Sequence, residues 1–401
     1  MISQKRKNAG AILLLAAIFI MTAAEWNLYT WYEAVTPYGT LFASVMLAGC
    51  FLCCVNLKDA LRDPVFYLMV CTDILALINL FLAHSHYGAI LTIADLMLIC
   101  YLANKMVVPT WLFPYAAALP AFYFFYWTVD VKGYFKGYNT NYGGLILITG
   151  FACLMILMQH IREYLKEKKP DSYGTWKWIL FILQLFFLAL GYNIIAWYRS
   201  RCALAGYVVL IVLLLLPKAI WKKRFLYGAA CFLMTAGAVL VSAAYVWLGK
   251  IRDVFEVRIF YKDILSGREE LWGELWDAYL KQPFAGIGSA YEMKVDFMRG
   301  AFEVHSGLLD ILFVHGLPVF IAACLFLFFR LLGLQEIVAK DNIAKIIFAA
   351  MAAVLITSFF ENFVIVPPFS LIFLLLFALM NARIVSCGGS THETGEKPEN
   401  A

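Results

Sequence analysis

The chain has 401 residues, of which 63% are hydrophobic and only 15% charged. A water-soluble fold of that length needs far more polar surface, so the composition excludes a soluble globular protein and leaves a polytopic membrane protein. The formal net charge of +5 is modest, no nucleic-acid partner is expected, and the placement of the charge says more than its size. Among the ten cysteines, Cys50, Cys53, Cys54, Cys71, Cys100, Cys153, Cys231 and Cys324 lie inside apolar runs, where a thiol behaves as a small hydrophobe. The one CxxC spacing, Cys50 to Cys53, sits inside an apolar run and is not read as a zinc pattern, so neither a disulfide framework, nor a metal, nor a cofactor is expected.

Apolar runs long enough for membrane helices number about twelve. They fall near 10–28, 38–57, 65–83, 88–103, 107–127, 143–161, 177–197, 203–220, 226–248, 306–332, 343–361 and 365–383. The expected fold is all-α, a polytopic membrane helix bundle. Residues 1–387 form one membrane domain, with a large outer loop at 249–305 carrying amphipathic helices. The polar tail 388–401 reads as disordered. Lys5, Arg6 and Lys7 precede the first run and place the N-terminus in the cytoplasm. Lys58, Arg62, Lys105, the Arg162–Lys169 cluster, Lys218 to Arg224, Lys340, Lys345 and Arg383 fall on the same side. The positive-inside rule is then met with both termini cytoplasmic in a plasma-membrane protein. The small residues Thr22-Ala23-Ala24 also permit a cleaved signal peptide, but the length of the apolar run favours a retained span.

Several arginines break the rule. Arg199 and Arg201 sit in the short outer turn "WYRSRCAL", and Arg252, Arg258, Arg268 and Arg299 in the long outer loop. A guanidinium in a tight turn between two spans is hard to explain as mere solvation, and Arg199 can act as its partner or as a snorkelling anchor. In "SGREELWGELWDAYLKQPFAGIG" (266–288), Ser266 and Glu269 fit a capping box, and Leu271, Trp272, Leu275, Trp276 and Tyr279 follow helical spacing. The Trp-rich stripe predicts a helix lying along the outer membrane surface. Arg268 falls at its second position, opposing the helix dipole, where it suits an anion site better than helix stability. Pro283 ends the helix, and Gly286 and Gly288 permit a tight return.

Next comes "FEVHSGLLDILFVHGLPVF" (302–320). Gly307 to His315 is too short to span, and Gly316-Leu317-Pro318 interrupts before a true span, which predicts a broken helix lining a cavity. Ser306 can cap it. His305, at a helix start, is expected to be neutral and able to accept a proton. Glu361, in "FFENF", lies at the outer end of the eleventh span, where it can orient an arginine or bind sugar hydroxyls, or simply be a solvated acid.

These pieces, in this order, resemble the O-antigen ligase/O-antigen polymerase family. "YNTNYGG" resembles the family's outer Asn-x-Asn motif, with Asn139 and Asn141. "SRCALAGYVVL" resembles its Ser-Arg before a span, with Ser200 and Arg201. Arg268, Trp272, Pro283, Gly286 and Gly288 match its Arg-x-x-x-Trp and Pro-x-x-Gly-x-Gly, and His305-Ser306 its His-Asn/Ser motif. No Pro separates the two Asn, and Ser306 stands where Asn is common. The resemblance implies a metal-independent membrane glycosyltransferase that moves a glycan from undecaprenyl diphosphate to a sugar hydroxyl, with inversion. His305, Arg268 and Arg201 are then the catalytic candidates: the two arginines clamp the diphosphate, and His305 activates or orients the acceptor. Arg199, Asn139, Asn141, Trp272 and Glu361 are candidates for substrate binding. The implied partners are an undecaprenyl-diphosphate-linked oligosaccharide, an acceptor glycan, the bilayer, and other polysaccharide-assembly proteins. Polymerase is favoured over ligase. A twelve-span transporter or a lipid-linked oligosaccharide flippase is the alternative. Against these, no internal repeat is found, and the arginines cluster at one surface rather than inside the membrane.

Overall fold

A peptide group has no water to bond to inside a bilayer, so an oily chain must satisfy its backbone within helices. The computed structural model of the protein describes residues 3–27, 32–130, 140–251, 257–260, 262–296, 302–367 and 369–388. In chain order the helices are α1 (Gln4–Asn27), α2 (Tyr32–Cys54), α3 (Leu57–Ala60), α4 (Pro64–Leu82), α5 (Tyr87–Leu102), α6 (Phe113–Asp130), α7 (Thr140–Lys168), α8 (Pro170–Tyr198), α9 (Arg201–Leu215), α10 (Lys218–Trp221) and α11 (Arg224–Lys250). After the strands β1 (Arg258–Ile259) and β2 (Lys262–Asp263) come α12 (Arg268–Tyr279), α13 (Gly307–His315), α14 (Leu317–Leu332), α15 (Gln335–Lys340), α16 (Asn342–Thr357) and α17 (Phe369–Gly388). The two strands pair antiparallel, Arg258 with Asp263 and Ile259 with Lys262.

Six helical stretches are long and apolar enough to cross a membrane: Pro64–Leu82, Ile146–Lys168, Pro170–Tyr198, Arg224–Lys250, Leu317–Lys340 and Phe369–Cys387. Tyr38–Cys54, Tyr87–Leu102, Phe113–Phe122, Arg201–Leu215 and Asn342–Thr357 are apolar but shorter. The all-α membrane bundle is therefore present, with six full-length candidates rather than twelve among the described residues. Two of the shortfalls have local causes. The run at 203–220 is cut because Pro217 follows Leu215, and the run at 343–361 is cut because α16 gives way to a turn at Ser358. Of the expected tail 388–401, Gly388 closes α17 and the rest lies outside the described residues; within 249–305 the described residues hold, beyond the last turn of α11, one helix, α12.

Side-chain caps start several helices. Asp63 accepts from Val65 N–H at 3.0 Å with Pro64 opening α4, and Asp341 accepts from Ala344 N–H at 2.6 Å to open α16. α16 is buried along almost all its length, whereas α8 turns Phe181, Ile182, Leu185 and Phe186 outward, as a lipid-facing helix should. Small residues let the central helices touch. A β-carbon at Gly206 would come within 2.1 Å of Thr357 Oγ1, and one at Gly144 within 2.4 Å of Ala203 Cβ. Such contacts draw α7, α9 and α16 together. They bring the start of α9 beside the end of α16.

The expected break at 316–318 is present. α13 stops at His315, Gly316 adopts φ +82°, and α14 begins at Leu317. Backbone groups freed by the break are met from outside it. Leu317 N–H donates to Pro283 O at 2.8 Å, Ile287 N–H to Phe313 O at 2.7 Å, and Asn79 Nδ2 to His315 O at 2.7 Å. The Pro283–Gly288 return thus plugs the gap, and His315 is a buried packing residue. Gly288 adopts φ +75°, and a β-carbon there would lie 2.0 Å from Ala83 O. Gly288→Ala is expected to cost more than about 1 kcal/mol, read as a lower unfolding temperature in detergent micelles. Gly88→Ala, a helical position with nothing within 4 Å of a new β-carbon, should leave that temperature unchanged or slightly raised. Equal behaviour of the two variants would refute the packing argument.

Candidate active site

The turn from Ser358 to Val366 connects α16 to the approach of α17 and holds the segment before α13 against itself. Ser306 N–H donates to Asn362 Oδ1 at 2.9 Å, and Gly307 N–H is shared between Ser358 O at 2.9 Å and Glu361 O at 3.0 Å. Ser306 Oγ accepts from Leu309 N–H at 3.4 Å, capping α13, and donates to Ser358 O at 3.3 Å. A β-carbon at Gly307 would sit 2.6 Å from Ser358 Oγ, so the two segments meet where glycine leaves room. His305 just before has φ +52°, a left-handed backbone uncommon for a non-glycine residue.

Pinned in this way, Glu361 faces two cationic side chains. Arg268, the first residue of α12, donates from one terminal nitrogen to Glu361 Oε1 at 3.0 Å and to Phe360 O at 2.8 Å. The other carboxylate oxygen, Oε2, lies 3.4 Å from His305 Nδ1, and Glu303 Oε1 lies 3.1 Å from that same nitrogen. The Glu361 and Arg268 side chains are only 5% and 14% exposed. Burial makes the pairing obligatory, because either charge left alone would be costly. The Nε–H of Arg268 is buried with no hydrogen-bond partner among the described residues.

The electrostatics correct one expectation. A helix start was expected to keep His305 neutral. Burial does work against the imidazolium, but hydrogen bonds and charge from Glu303 and Glu361 outweigh it and push the His305 pKa up to about 9. Two carboxylates within 3.4 Å beat a helix terminus. Burial tends to raise the Glu303 carboxyl, yet His305, and then Arg268, hold it below its ordinary value. Glu303, His305 and Glu361 each offer one ligand atom, all within 4.8 Å of one another, and form, among the described residues, a group that a metal ion could use. The guanidinium on Glu361 and the proton on His305 already supply positive charge to these carboxylates.

Arg201 opens α9 behind Ser200, whose Oγ accepts from Ala203 N–H at 3.4 Å. Its guanidinium donates to Asp263 O and to Ser266 Oγ, tying α9 to the hairpin and to the entry of α12. Arg201 and Arg268 are near enough to repel each other, and both act on Tyr245 of α11. The Tyr245 ring packs 5.2 Å from Trp272 and 5.9 Å from Phe360. Tyr245, Glu303 and Asn362 were missed by sequence reasoning. Glu303 stood two residues before a singled-out histidine, a signal that was there to be used; Tyr245 lay in an apolar run with none.

Other expectations change. Ser266 does not cap α12: it has φ +58°, Gly267 with φ +81° precedes the helix, and Arg201 occupies the serine hydroxyl. Arg268 is accordingly the first helical residue, not the second. The Trp stripe does not face lipid. Leu271, Trp272, Leu275 and Tyr279 are buried in protein, and α12 packs on α11 and α13. Trp272 is completely buried, with its indole N–H donating to Val304 O at 2.9 Å, so it holds the 302–305 segment in place. Arg199 is exposed in the turn after α8. Asn139 lies outside the described residues, as does the side chain of Asn141.

The fold and site together define a polytopic helical membrane protein with two arginines, a histidine and two carboxylates gathered at one end of its bundle. A family model described as O-antigen ligase matches residues 184–324, which supports placing the chain in the O-antigen ligase/polymerase family. The matched stretch contains Arg201, Arg268, Glu303 and His305; Glu361 lies beyond it. No curated protein and no solved structure matches the chain. The family suggests a glycosyltransferase-like enzyme acting in a membrane.

Because the folded pKa of His305 is raised above its ordinary 6.5 to about 9, the imidazolium stabilises the fold fully below pH 6.5. That contribution is lost as pH rises through about 9. Wild-type protein should therefore lose on the order of 3 kcal/mol relative to His305→Gln across this window. The comparison is made by chemical unfolding at pH 6 and 9.5, and parallel pH profiles would show that His305 is not held by its carboxylates.

Proposed function

We propose that the chain transfers a glycan from undecaprenyl diphosphate to a sugar hydroxyl in the assembly of a cell-surface polysaccharide, as a polymerase in preference to a ligase. The observation that carries this reading is the buried Glu361, which bonds Arg268 through one oxygen and faces His305 with the other. Departure of a lipid diphosphate needs fixed positive charge. Arg268 and Arg201 supply it from separate elements, Arg268 with a buried Nε–H still available. The acceptor hydroxyl must lose a proton as its oxygen bonds to the anomeric carbon and the bond to the diphosphate breaks. His305, protonated at neutral pH, cannot take that proton. It orients the Glu303 carboxylate, the more exposed of its two partners at 43%, and Glu303 takes the proton. Attack opposite the leaving group inverts the anomeric centre. Metal ions are not required on this reading. The placement of positive charge in the sequence puts both termini in the cytoplasm and this site at the outer face.

Purified protein given lipid-linked repeat units and assayed for polymer tests the reading. Arg268→Ala should lower the rate at least about 100-fold, and Arg268→Lys nearly as much, because a lysine lacks the forked donors. Glu303→Gln should lose a similar factor while still binding donor. Normal polymer from both Arg268→Ala and Glu303→Gln would sink the proposal. Product on a different acceptor with the same variant losses would identify a ligase.

A further inference from the structure

At the end of the bundle away from Arg268, a cavity of about 750 Å³ opens between α7, α8, α9 and α16. α9 runs from Arg201 at the candidate active site to Leu215 in the cavity wall, roughly 21 Å at the helical rise. The wall is two-sided in character. One part is apolar, including Phe181, Leu185, Leu188 and Ile211, and Phe181 and Leu185 are also open to the bundle's outer surface. The cavity therefore reaches sideways to where acyl chains lie. The other part carries six cations, Arg162, Lys166, Lys218, Lys340, Lys345 and Arg383, against two acids, Glu163 and Asp341.

Both acids are taken. Arg383 bonds Glu163 at 3.2 Å and also pairs with Asp341, and Lys340 pairs with Glu336 outside the cavity. Lys218 Nζ donates to Lys340 O at 2.7 Å, Lys345 Nζ to Leu214 O at 2.7 Å, and Arg162 Nε to the Tyr173 hydroxyl at 3.3 Å. Arg162, Lys166, Lys218 and Lys345 thus have no carboxylate partner among the described residues, while facing one partly apolar space. Such a surplus asks for an anion, and the lateral apolar wall asks for a chain attached to it.

We propose that this cavity binds an anionic phospholipid from the leaflet at that end of the bundle, its phosphate among Arg162, Lys218 and Lys345 and an acyl chain along Phe181 and Leu185. The site is separate from the glycan chemistry and does not depend on it. It gives the bundle a lipid-dependent clamp on α9 and α16, the two helices whose other ends carry Arg201 and lead to Glu361.

Native mass spectrometry of the whole protein, released from micelles with added phosphatidylglycerol or phosphatidylcholine, tests this directly. Wild type should retain phosphatidylglycerol and not phosphatidylcholine. Arg162→Gln with Lys218→Gln should weaken retention about 25-fold, about fivefold per charge removed. Lys222→Gln, an exposed lysine outside the cavity, should change nothing. Leu185→Trp keeps every charge, blocks the apolar wall, and should also weaken retention in a protein that still folds. Equal retention of the two lipids, or retention unchanged in both Leu185→Trp and the double variant, overturns the proposal. Displacement of the lipid by millimolar inorganic phosphate would do the same, since it would reveal a simple anion site.

Discussion

The arrangement at the candidate active site depends on one buried carboxylate. Glu361 is almost wholly removed from solvent, and an isolated carboxylate there would be expensive. It persists because α12 delivers Arg268 to one of its oxygens and the segment before α13 brings His305 to the other. The dependence is mutual. Arg268 stands at a helix start, where the macrodipole repels a cation, and it tolerates that position through the carboxylate and the Phe360 carbonyl. A substitution at Glu361 would therefore release two elements at once, the start of α12 and the segment before α13, far from each other in sequence.

That single pairing relies on packing in the membrane core. Glu361 reaches its place only because α16 ends where α9 begins, and the close approach at Gly206 and Thr357 sets that register. The same two helices carry, at their other ends, Lys345 and the carbonyls of Leu214 and Leu216 to which it donates. Positive charge is thus stitched to helix ends on both sides of the bundle, by different means. At one end a carboxylate anchors Arg268 while Arg201 is held by a carbonyl and a hydroxyl; at the other, carbonyls share the charge and leave it unneutralised.

Much of this was legible in the sequence, for physical reasons that can be stated residue by residue. Lipid leaves little choice but helix, so apolar run length sufficed for the fold class. Gly316 and Pro318 announced the break between α13 and α14, because their backbone demands are local. Side-chain partners across long separations were not legible. Ser266 met the local rule for a cap, but a guanidinium 65 residues earlier in the chain took its hydroxyl. The tryptophans of α12 fit a membrane surface equally well as a protein groove, since amphipathicity says only that one face is apolar. His305 was read from its helix start alone, and the two carboxylates that decide its charge come from outside that helix.

The charged state of His305 also reshapes what the proposed chemistry asks of the site. With His305 neutral, the histidine is the base, and the acids around it only position it. With His305 protonated, the base must be a carboxylate, and the histidine's part is to hold that carboxylate ionised in a partly buried place. Glu361 cannot serve easily, because Arg268 and His305 already occupy both its oxygens. Glu303 has an open face and a depressed affinity for protons, which makes it a weak base but an always-ready one. A weak base suits a reaction in which the leaving diphosphate departs early and the hydroxyl proton is given up late, when the attacking oxygen has already become acidic through bonding to carbon. On that order of events the arginines carry most of the barrier reduction, and the acid cluster needs only to be ionised and in reach.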